Sequence, residues 1–180
     1  SSPSIRQCKF INNNAAGVGA AIFNLNSNPL IVANTFKSNM AIIYGGAIAN
    51  EGSSANILNN TFIENASQDG GAMYNINASP IITNSNFMGN TAGNGGGIFN
   101  NASTTKLTNC IITGNTASAS GGAIYNSNGT APVIINCTIA GNAATVNGGG
   151  LLQASGTAVI KNSIIWGNNT NITGPGVTVS

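Results

Sequence analysis

Charge is what this sequence has least of. Of its 180 residues only 5 are Lys or Arg and 3 are Asp or Glu, 4% in all, and there is no histidine; an ordinary soluble domain carries about 25% charged residues. Without histidine, no Ser-His-Asp triad, imidazole base or His-ligated zinc can be assembled. The three acids, Glu51, Glu64 and Asp69, leave little for the paired carboxylates of a glycoside hydrolase or for a calcium cage. A net charge of +2 offers no basic patch to a phosphate backbone. Aromatic residues make up 6%, so any core must rest on small aliphatic side chains. No run of about 18 apolar residues occurs, and Ser1 to Phe10 shows neither a basic start leading into an apolar stretch nor a small-residue cleavage site. The expectations that follow are no enzyme, no catalytic residue, no cofactor, no metal, no nucleic-acid partner, no membrane insertion and no leader segment.

In place of charge there are 24 glycines and 32 asparagines, and they are periodic, which argues against low-complexity disorder. Gly-Gly followed by small and aliphatic residues recurs at Gly45-Gly46-Ala47-Ile48, Gly70-Gly71-Ala72-Met73, Gly95-Gly96-Gly97-Ile98, Gly121-Gly122-Ala123-Ile124 and Gly148-Gly149-Gly150-Leu151, with a weaker first copy at Gly19-Ala20-Ala21-Ile22. The aliphatic positions are 26, 25, 25, 26 and 27 residues apart. In step with them runs an apolar residue followed three later by asparagine: Phe10/Asn13, Phe36/Asn39, Phe62/Asn65, Phe87/Asn90, Ile112/Asn115, Ile139/Asn142 and Ile165/Asn168. Five residues before each of these apolar positions lies a further column, Ile5, Ile31, Ile57, Ile82, Leu107, Ile134 and Ile160.

Three short apolar segments per period, separated by Asn and Gly, predict three strands rather than a helix. The fold expected is all-β: one parallel β-helix domain over residues 1–180, with about seven coils of 25–27 residues. At one strand spacing per coil, seven coils make a rod roughly 33 Å long. Asparagines fall at three corners: Asn24, Asn50, Asn75, Asn100 and Asn126 (closed by Gln153); Asn59, Asn84, Asn109, Asn136 and Asn162; and Asn13, Asn39, Asn65, Asn90, Asn115, Asn142 and Asn168. Asn tolerates left-handed backbone, and stacked amides can bond to the coils on either side. These columns are expected to be structural ladders.

The repeats resemble those of right-handed parallel β-helix proteins of the pectin-lyase-like group. They are still more similar to the paired Gly-Gly-Ala-Ile and Phe-x-x-Asn repeats of polymorphic outer-membrane proteins, autotransported surface adhesins. The resemblance covers nearly the whole chain and implies a right-handed coil and an extracellular, cell-surface location. Here the aromatic gives way to Ile112, Ile139 and Ile165, and the first Gly-Gly pair to Gly19-Ala20.

Three features remain as candidates. Cys8, Cys110 and Cys137 share a column with Asn34, Asn60, Ser85 and Ser163; stacked in-register side chains suit disulfide geometry poorly, so free buried thiols are expected. The column after the Gly-Gly strand's aliphatic holds Phe23, Ala49, Tyr74, Phe99, Tyr125 and Leu152. Period-two alternation turns it outward, so that Phe23, Tyr74, Phe99 and Tyr125 form an apolar stripe; either it stacks on sugars or a partner protein, or the variable loop before each Gly pair folds over it, or it packs another part of a larger protein. Basic Arg6, Lys9, Lys37, Lys106 and Lys161 are scattered and serve solubility. The functions expected are a non-catalytic structural or adhesive rod of a bacterial surface protein, a segment or subunit of a larger assembly. Its partners would be neighbouring domains, glycans or host and cell-surface proteins. The alternatives are a fibre subunit stacking end to end with copies of itself through uncapped strand edges, and a carbohydrate-binding or polysaccharide-degrading β-helix.

Overall fold

A repeat of 25–27 residues brings each strand against its own counterpart one coil later, and the computed structural model, which describes residues 2–180, shows that pairing throughout. No helix occurs among the described residues. Four parallel sheets run along the axis. The isoleucine sheet has eight strands, from Ser4–Arg6 to Val177–Val179, and aligns Ile31, Ile57, Ile82, Leu107, Ile134 and Ile160. The phenylalanine sheet has seven, from Lys9–Ile11 to Ile164–Trp166, aligning Phe10, Phe36, Phe62, Phe87, Ile112, Ile139 and Ile165. The glycine-entry sheet, also seven-stranded, runs from Ile22–Leu25 to Ile172–Thr173 and aligns Ile22, Ile48, Met73, Ile98, Ile124, Leu151 and Ile172.

The fourth sheet corrects the expectation of three strands per coil. Six strands from Asn14–Ala15 to Ala143–Ala144 pair in the stretch between each Phe-x-x-Asn and the next Gly pair. Their sequences, such as Ala66–Asp69 and Thr91–Asn94, are small and polar and carry little strand propensity of their own. Register imposed by the neighbouring sheets overrides that propensity. Its aligned column of Ala15, Ala41, Ser67, Ala92, Ala117 and Ala144, buried or half-buried throughout, consists of residues no larger than serine, which leads us to call it the alanine sheet. Six coils carry all four strands, a seventh lacks the alanine-sheet strand, and Val177–Val179 opens the next turn.

The core is one continuous column from Ile22 to Ile160 with the isoleucines fully buried along most of its length; each such burial contributes about 1.5–3 kcal/mol. Phe10, Phe36, Phe62 and Phe87 stack inside it with ring centroids 5.0, 4.8 and 4.6 Å apart and nearly parallel planes, because strand spacing and ring-stacking distance nearly coincide. The Gly pairs divide two tasks. Gly45 has φ +63°, the left-handed turn into the glycine-entry strand, whereas Gly46 has ordinary φ but lies so close to the carbonyl oxygens of Gly71 and Ala66 that a Cβ would overlap both. The first glycine sets the turn, and the second permits coil contact.

Candidate functional site

Most inward polar side chains are committed to holding coils together. In the column Asn13 to Asn168, each Nδ2 from Asn13 to Asn142 donates to the next coil's Oδ1, at 2.7 to 2.9 Å. The same oxygen also accepts the backbone N–H of the preceding asparagine, as Asn115 Oδ1 does from Asn90 at 2.9 Å. The second amide hydrogen reaches back to a carbonyl of the previous coil, Asn90 Nδ2 to Phe62 O at 3.2 Å. The amides of Asn24, Asn50, Asn75, Asn100 and Asn126 likewise chain inward and end on Gln153. Thr130 Oγ1 is the one buried side-chain polar atom without a partner among the described residues.

The third asparagine column does something different. Asn59, Asn84, Asn109, Asn136 and Asn162 have φ of +49° to +57° and are exposed, so they make the left-handed corner, and only Asn109 bonds its neighbour Asn84, at 3.2 Å. The ladder at that corner sits one residue on: Cys8 N–H donates to Asn34 Oδ1, Asn34 to Asn60, Asn60 N–H to Ser85 Oγ, and Cys137 N–H to Ser163 Oγ. Cysteine thus occupies a hydrogen-bonding rung, and Cys110 N–H donates to Cys137 Sγ at 3.4 Å. All three thiols are free; Cys110 and Cys137 are buried, while Cys8 on the first coil is exposed. The adjoining Cys137 thiol, and then burial, push the Cys110 thiol well above the usual thiol range.

The aromatic stripe is not the open surface that alternation suggests. Tyr74 is 5% and Phe99 8% exposed, Tyr125 is half-buried, and only Phe23, at 45%, stands open. Alternation does turn the column away from the core, but the glycine corner folds the chain back tightly. Tyr44, the residue before Gly45, then lays its ring on Tyr74 with centroids 4.3 Å apart. The stack continues through Phe99 and Tyr125 at 5.2 and 4.7 Å. Tyr44 thereby supplies the ring that its own coil lacks at Ala49. Nothing in the periodic pattern marks it: the equivalent positions are Val18, Asp69, Asn94, Ser120 and Asn147.

Where the stack stops, a cavity opens. It measures about 210 Å³ and is bounded by Phe23, Tyr44, Tyr74, Ala49, Glu51 and Ile76, among others. Charge is divided around the rod accordingly. Arg6, Lys9, Lys37, Lys106 and Lys161 all lie on strands of the isoleucine and phenylalanine sheets. Glu51 ends a strand of the glycine-entry sheet and Asp69 one of the alanine sheet. Glu64 stands at the corner after the phenylalanine sheet, 3.9 Å from Lys37 Nζ. Asp69 accepts from Asn94 Nδ2 at 3.0 Å, and burial raises its carboxyl above the usual value in spite of that bond. Burial also raises the Tyr74 hydroxyl, against a weak hydrogen bond from Asn101, and the nearby Tyr44, Asp69 and Glu51 raise it further. Glu51 and Asp69 therefore both act on this side of the rod.

No curated protein and no solved structure matches the chain. The stacked parallel coils agree with the match of residues 42–180 to the family model described as right handed beta helix region, and the chain belongs to that family.

Proposed function

We propose that the chain is a structural and adhesive rod of an extracellular bacterial surface protein, presenting its faces and corners to partners without chemistry of its own. The observation that carries this reading is the use of polar side chains. Two amide columns and a mixed Asn/Ser/Cys column bond coil to coil along the axis, which makes a stiff element whose contacts are nearest-neighbour. Glu51, Glu64 and Asp69 sit on separate elements, and Glu64 faces Lys37. The likeness of the repeats to those of surface adhesins points the same way.

In the last coil Asn169 accepts from Ala144 N–H at 3.1 Å and donates to its carbonyl at 2.6 Å, and Asn171 Oδ1 accepts from Asn168 Nδ2 at 3.1 Å, so side-chain amides go on holding this coil together. Electron microscopy with light scattering, cell-binding assays, and incubation with polysaccharides tests the proposal. Monodisperse rods that adhere to cells and leave polymers intact are expected. Concentration-dependent filaments or release of sugar ends would overturn it.

A further inference from the structure

We infer that the cavity between Phe23 and Tyr44 is a binding site for a small organic cation bearing methylated ammonium, held by aromatic faces and the Glu51 carboxylate. Tyr44 stacks one face on Tyr74, and no other ring stacks on it among the described residues. Phe23, one coil away, is also unstacked and 45% exposed. Both line a cavity of about 210 Å³ whose walls also include Val18, Ala49 and Ile76. An aromatic-walled space rejects a strongly hydrated ion but attracts a weakly hydrated cation through the negative ring faces. Glu51, on the same wall, is exposed and has no cationic side chain of the chain within 4.0 Å among the described residues, the single ion pair being Lys37–Glu64. None of the five basic residues lies on the glycine-entry or alanine sheet. The local field is therefore negative on a chain whose net charge is +2. The same chemistry is offered by a soluble quaternary amine and by a phosphocholine headgroup.

The experiment is calorimetric titration of the full chain at low salt with choline, with 3,3-dimethylbutan-1-ol as its uncharged isostere, and with methyl glucoside as a neutral sugar. Saturable choline binding is expected, at least about tenfold tighter than the isostere. Glu51→Gln, at an exposed site, should weaken choline severalfold with the thermal midpoint unchanged, and Phe23→Ala should abolish binding. Co-sedimentation with phosphatidylcholine vesicles supports a lipid headgroup as the source of the cation, and choline binding without co-sedimentation supports a soluble one. The inference is overturned if choline fails to saturate, if the isostere binds equally well, or if methyl glucoside binds better than choline and is indifferent to Glu51→Gln.

Discussion

Replacing Asn90 by alanine removes a rung from the middle of the longest amide column and tests whether that column holds the coils together. Four hydrogen bonds go: Nδ2 to Asn115 Oδ1 at 2.8 Å, Nδ2 to Phe62 O at 3.2 Å, and the two that Asn65 directs at Asn90 Oδ1, from its Nδ2 and its backbone N–H, both at 2.9 Å. Asn115 Oδ1 keeps the backbone N–H of Asn90, but two buried donors of Asn65 lose their acceptor. At about 1–3 kcal/mol for each orphaned group, plus a small cavity term, the loss should be about 3–6 kcal/mol. Asn13→Ala is the control. Asn13 is half-buried and its side chain donates a single bond, to Asn39 at 2.7 Å, so its loss should cost only about 0.5–1.5 kcal/mol. A stacked array need not unfold in one step, so denaturant melts should be paired with hydrogen exchange at the Asn65 amide, whose protection should fall selectively. Equal costs for Asn90→Ala and Asn13→Ala, or an Asn65 amide still fully protected in the variant, would refute the reasoning.

Three further outcomes are expected. Tyr74→Ser should destabilise by about 3–5 kcal/mol, like a core truncation, and reduce near-ultraviolet dichroism, since the ring lies between Tyr44 and Phe99; a cost below about 0.5 kcal/mol would mean a surface site. With a colorimetric thiol reagent, Cys8 should react in the native protein and Cys110 and Cys137 only in denaturant; prompt reaction of all three would contradict their burial. Because burial holds the Asp69 carboxyl above its usual 3.8, the folded chain binds that proton more tightly than the unfolded chain. Its contribution is therefore full below pH 3.8 and is lost as pH rises through the folded value. Asp69→Asn should flatten that slope in urea melts taken from acid to neutral pH, and an unchanged slope would remove Asp69 as its source.

The interval of 25–27 residues was enough to establish parallel coils, because a chain that repeats its apolar positions in step can bury them all only by stacking each strand on its equivalent. The same holds for Phe62, Ile82 and Ile98, which are inward and fully buried, and for the amide column through Asn90, whose recurrence in every coil leaves few places for it but a ladder. The three asparagine columns nevertheless look alike as text, and only backbone geometry separates exposed left-handed Asn84 from buried, bonded Asn75. The alanine sheet was illegible because Ala66–Asp69 and its equivalents have no alternating pattern, and their pairing is imposed by neighbours already in register. That the loop before a Gly pair can fold over the stripe is legible in the sequence, but the ring that does so is not: the Tyr44 column varies from coil to coil, so no repeat announces that its ring fills the space above Ala49. Local periodicity specifies what recurs along an axis, whereas a single ring crossing from a corner to a neighbouring coil is decided by packing in three dimensions, and that one contact covers Tyr74 and leaves the cavity beside it.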